Sequence, residues 1–159
     1  MKDSIVQWIE EFVSVYNPDL GVIPCPFAKK AIIKDTIQYI EFNSDNATSI
    51  LSELGNNWDD TYEVVIMYAS TDTMSSEQLS DITDKFNAQF NKNDIAALED
   101  HPHAPETVEG VSMNWGQGML ILVQRLSKIN QAAKILHKQG YYDNWPPEYY
   151  DEVVGWRTK

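Results

Sequence analysis

Tyr62-Glu63-Val64-Val65-Ile66-Met67-Tyr68-Ala69 is the stretch on which the fold turns. Val64, Val65, Ile66 and Met67 stand in an unbroken apolar row, rich in β-branched side chains and too short for an independent helix. Such a run reads as a buried strand. A buried strand needs sheet neighbours beside it and helices over it, so the flanking sequence must supply both.

Upstream, Thr36 to Phe42 reads as a strand with Ile37, Tyr39 and Ile40 among its apolar or aromatic members. Downstream, Ile95 to Leu98 gives a short strand, and Gly118 precedes a strong one at Met119–Val123. Between them lie helical patterns. Ala47–Leu54 is capped by residues of Asn43–Asn46 and stopped by Gly55, and Glu77–Phe90 buries Leu79, Ile82, Phe86 and Phe90. Ser75 and Gln78 form a capping-box signature ahead of that second helix. Ile5, Trp8, Ile9, Phe12, Val13 and Tyr16 recur at helical spacing over residues 4–16, and Asn17-Pro18-Asp19 ends the run. A short helix is expected from Phe27 to about Ile33, and a long one over Ser127–Gln139, where Gly140 stops it. The order is helix, short helix, then β-α-β-α-β-β-α. It predicts an α+β domain with a mixed sheet of about four strands and helices packed on it. No repeat or linker divides the chain. Residues 1–159 form one domain, with N-terminal helices in 1–35 and an aromatic tail in 141–159.

The composition suits a folded protein: 43% hydrophobic, 23% charged and 11% aromatic over 159 residues. Twenty-four acidic residues against twelve basic ones leave a formal charge of −12. That field repels phosphate backbones and anionic lipid, which counts against direct nucleic-acid binding and against a membrane role. A basic protein partner or a small-molecule substrate stays compatible with it. No secretory signal or long apolar span is visible, so the expected location is cytoplasmic. A single cysteine excludes an intrachain disulfide.

That cysteine sits in Pro24-Cys25-Pro26-Phe27. Pro26 pushes Cys25 toward an extended backbone that suits a helix N-cap, and Pro26 itself suits the first helical position. A thiol there would meet free N–H groups and the positive end of the helix dipole, which lowers its pKa, with Lys29 adding positive potential. The bland alternative is a small apolar residue at a chain reversal.

Asp100-His101-Pro102-His103-Ala104-Pro105-Glu106 follows a predicted strand, a place where functional loops gather. Cys25, His101 and His103 would make a ligand set for a transition metal such as zinc. Alternatively, His101 or His103 would act as base for a Cys25 nucleophile, with Asp100 or Glu106 orienting it. The alternative to both is a pair of loop histidines beside acidic neighbours. Gly110–Gly118 leads into a strand rather than a helix and reads as a turn, not a phosphate loop. In the tail, Tyr141, Tyr142, Trp145, Tyr149 and Tyr150 form a candidate binding surface. The interleaved Asp143, Glu148, Asp151 and Glu152 favour packing across the domain, or against a protein, over stacking on bases.

The run from Trp8 through Cys25-Pro26-Phe27-Ala28-Lys29-Lys30-Ala31 resembles a family of uncharacterised bacterial proteins. These share an N-terminal helix, a CPFA motif and a later His-Pro motif, for which His101-Pro102 stands here. The stretch KQGYYDNWPPEYYDEVVGW, residues 138–156, looks like hypothetical proteins of marine cyanobacteria and cyanophages. The resemblance implies a site at Cys25 and His101 without assigning a reaction. Two functional expectations follow: a Cys/His site for metal binding or cysteine-nucleophile catalysis, or a non-enzymatic acidic module that binds a host protein.

Overall fold

The computed structural model describes residues 1–158. Its main sheet has the strands β1 (Ile37–Glu41), β2 (Val64–Ala69), β3 (Ile95–Asp100) and β6 (Met119–Arg125), in the order β1-β2-β6-β3. β1 runs parallel to β2, while β6 is antiparallel to both β2 and β3. This is the expected mixed four-stranded α+β sheet. The Val64–Met67 run lies at its centre, flanked on both edges, which is why it carries no polar alternation.

Alternation along the strands sorts side chains onto two apolar faces. Val65, Met67, Ile95, Ala97, Met119, Ile121 and Val123 meet the helices α3 (Ala47–Asn56) and α4 (Ser76–Phe90) on one face. Ile37, Ile66 and Leu120 meet α1 (Lys2–Trp8) and α2 (Ala28–Ile33) on the other. The capping box of α4 forms as expected: Gln78 N–H donates to Ser75 Oγ, and Ser75 N–H donates to Gln78 Oε1.

The helix expected to stop at Gly55 runs through it to Asn56, and three further elements differ from expectation. The N-terminal helix closes as a π-helical turn over Ile9–Val13, with Ser14 N–H reaching Ile9 O at 2.9 Å. Within the segment expected to be a plain loop, β4 (Thr107–Val108) and β5 (Val111–Ser112) form a hairpin. Its two turn residues, Glu109 and Gly110, both have positive φ, the combination a tight hairpin with right-handed strand twist requires. After α5 (Leu126–Lys138), the tail forms α6 (Pro147–Val153), started by a proline where its missing N–H costs nothing. Among the described residues, no helix is long and apolar enough to cross a membrane.

Gly118, at the entry to β6, has a structural requirement. A Cβ there would lie 2.5 Å from the backbone oxygen of Ala69 and 2.8 Å from the Trp115 ring. Ala69 is paired with Met119 in the β2–β6 ladder, so its carbonyl cannot retreat without breaking register. Gly118→Ala is therefore expected to cost about 1–3 kcal/mol, read as a lower urea midpoint with an unchanged slope.

Candidate functional site

Cys25 is half-buried in the loop before α2, not at a helix cap. The N-cap of α2 is Phe27, and Cys25 instead closes a turn in which Ala28 N–H donates to its carbonyl at 3.2 Å. Its own N–H donates to Val13 O at 2.8 Å, tying the loop to the π-helical turn. Burial pushes the Cys25 thiol up, against the opposing pull of the Phe27 and Ala28 backbone groups. The lowered thiol pKa expected from a helix-terminal position does not arise, because desolvation outweighs the two backbone groups. Lys29 is exposed on α2.

His101 is only 2% exposed, and protein groups occupy both of its ring nitrogens. Nε2 lies 3.0 Å from Met74 O, and His103 N–H donates to Nδ1 at 3.0 Å. A carbonyl accepts and an amide donates, so this arrangement sets the proton on Nε2. The ring clamps the end of β3 to the turn before α4. The His103 side chain is exposed, its ring centroid 5.2 Å from that of His101. Among the described residues, no three His, Cys, Asp or Glu side chains are grouped to hold a metal ion, so Cys25, His101 and His103 do not form the expected ligand set.

What the segment after β3 does build is a buried acidic knot. Asp100 Oδ1 accepts from Asn114 Nδ2 at 2.6 Å, and Asp100 Oδ2 accepts from Trp115 N–H at 2.9 Å. Asn114 Oδ1 in turn accepts from Glu106 N–H at 2.8 Å, and the same amide reaches the carbonyls of His101 and Ala104. Tyr149 on α6 donates to Glu106 Oε2 at 3.2 Å. Burial, with the charge of Asp100 adding to it, pushes the Glu106 carboxyl up to about 8. Burial also raises Asp100, opposed by its hydrogen bonds from Trp115 and Asn114. Asp100 and Glu106 thus orient a loop and the tail rather than a histidine.

The tail aromatics pack mostly on one another and on the domain. Tyr141 is buried, and its hydroxyl donates to Pro24 O beside Cys25. Trp145 stacks on Tyr149 with centroids 4.6 Å apart, and Tyr142 meets Trp145 and Tyr150 edge-on. His137 Nε2 lies 2.6 Å from the Tyr150 hydroxyl. These contacts hold residues 141–156 in place and leave Tyr142, Trp145, Tyr149 and Tyr150 half-buried.

No family model, curated protein or solved structure matches this chain.

A recess elsewhere had no part in the sequence reading. A cleft of about 530 Å³ opens between α3 and the β1 edge of the sheet. Its apolar floor includes Ile40, Ile50, Leu54 and Trp58; Glu53 and Asp59 stand in its wall, and no Lys or Arg lines it. Hydrogen bonds from Thr61 hold the Asp59 carboxyl below its usual range, keeping it ionised at neutral pH. The sequence signals present were Trp58 in a polar loop and Asp59-Asp60, a pair with the pattern of a solvated face.

Proposed function

We propose that this protein is an acidic interaction module that binds a basic protein partner. One observation carries the reading: the acidic excess is not neutralised within the fold. Against twenty-four acidic residues in the chain, the described residues form two ion pairs, Lys85–Asp81 and Arg125–Asp60. Both are at the surface, where such pairs add little stability. A field of this sign speeds and selects encounter with cationic partners. The cleft beside α3 supplies what charge alone lacks, an apolar recess walled by carboxylates. The chemistry-bearing residues favour the same reading, since His101 is saturated and the Cys25 thiol is pushed toward its neutral form.

Panning a random peptide library against the intact chain tests it. Enriched sequences are expected to combine Lys or Arg with apolar residues, and their affinity should fall at least about tenfold when salt rises from low to physiological strength. Enrichment without basic residues, or salt-independent binding, would contradict the proposal.

A further inference from the structure

The two edges of the main sheet are treated differently. At the β3 edge, the Asn87 side chain from α4 seals the backbone of Ala97: its Nδ2 donates to Ala97 O at 2.9 Å, and Ala97 N–H donates to its Oδ1 at 2.8 Å. The knot around Asp100 closes the end of the same strand. β1 has no such cover. Phe42 N–H donates to Tyr68 O, and Val64 N–H to Thr36 O, which fixes the even-numbered residues of this segment as those facing β2. Strand geometry then turns the N–H and C=O groups of Tyr39 and Glu41 outward. Among the described residues, no other strand pairs with that edge. An open edge is a template for another strand, and proteins normally blunt it.

The cleft lies along this edge. Ile40 on β1 forms part of its floor, so alternate side chains of a strand added beside β1 would enter the space over Ile50, Leu54 and Trp58. We propose that β1 accepts an extended basic peptide of a partner protein as a fifth strand, with apolar side chains seated in the cleft and Lys or Arg meeting Glu53 and Asp59. The inference rests on the acidic-module reading and names its partner's form. Charge selects the occupant: a second copy of this chain carries the same charge of −12 toward Glu53 and Asp59, whereas a cationic strand meets complementary charge. Backbone pairing supplies affinity and the cleft supplies side-chain selection, the division of labour usual in strand addition.

The probe is the synthetic peptide Thr-Leu-Thr-Lys-Thr-Leu-Thr-Lys, titrated into the intact chain, with amide exchange followed by NMR. Binding should slow exchange at the Tyr39 and Glu41 amides by at least about tenfold, the signature of new hydrogen bonds there. N-methylation of alternate peptide residues should abolish binding in one register and spare it in the other. Charge removal at two exposed positions, Glu53→Gln with Asp59→Asn, keeps the acceptors for Asn57 and Thr61 and should weaken binding at least about fivefold with little change in the melting curve. If the peptide fails to bind, or binds with exchange at Tyr39 and Glu41 unchanged, the fifth-strand inference is overturned. The module reading still stands in that case if panning yields basic ligands, and falls with it if panning yields none. Protection of Tyr39 and Glu41 in the peptide-free protein, with a doubled mass in solution, would assign the edge to a second copy and also overturn the inference.

Discussion

Asn114→Ala is expected to be among the most damaging single substitutions in this protein, lowering stability by about 3–5 kcal/mol. The side chain is small and polar, and its loss removes little apolar burial. What it removes is the hub on which four groups converge: the Asp100 carboxylate, the Glu106 N–H and the carbonyls of His101 and Ala104. Asp100 is buried and would be left with the Trp115 N–H as its remaining hydrogen-bond donor. A desolvated carboxylate stripped of a short hydrogen bond is costly, and the Glu106 amide loses its acceptor as well. The effect should be local before it is global. Amide exchange over residues 101–114 should accelerate more than exchange in β2 and β6. A variant with wild-type stability would show that the knot does not hold this loop.

The second large effect concerns pH. Glu106 is raised from an ordinary 4.5 to about 8 in the folded chain, first by burial and then by the negative charge of Asp100. The folded chain therefore keeps a proton that the unfolded chain releases above pH 4.5. Stability supplied by this group is full below that value, declines as pH rises, and levels off once pH passes about 8. The decline amounts to several kcal/mol across the window, on the order of 1.4 kcal/mol per unit. Glu106→Gln removes the titration while keeping an acceptor for Tyr149. Urea melts are expected to show the wild type losing stability with rising pH and the variant losing much less of it. The variant should be the more stable of the two at about pH 8. Parallel curves would place Glu106 in a more hydrated setting than the geometry shows. Tyr149 on α6 donates to this carboxyl and favours its ionised form, so the Tyr149 bond opposes the upward shift and is expected to persist after deprotonation.

Much of the architecture was legible because its signals are local. Four strands could be read from apolar runs, and α4 from Ser75 and Gln78 three residues apart, since both depend on neighbours in sequence. β4 and β5 escaped because two residues each are too few to show a period. α6 escaped because none of its residues is fully buried, so no apolar stripe marks it.

The site was harder for a related reason. Residue types showed where chemistry was available, but not which lone pairs and protons the fold would consume. His101 looked free in sequence, yet Met74, twenty-seven positions upstream, takes one side of its ring. Asn114 looked like a turn residue, and its importance depends on four partners that only the folded loop brings together. The cleft draws on β1, α3, the loop over residues 57–62 and Val65 of β2, four segments with no shared motif.

Under the proposed reading, a module that binds a basic partner, Cys25 has no chemical role, and the reactivity of its sulfur tests that most directly. The rate of alkylation by iodoacetamide, followed from about pH 6 to about pH 10 in folded and urea-unfolded protein, separates an inert thiol from an activated one. The account predicts slower labelling of the folded chain at every pH, with its inflection above that of the unfolded chain. Folded protein that labels faster near neutrality, with an inflection below that of the unfolded chain, would contradict it and return Cys25 to the centre of a reactive site.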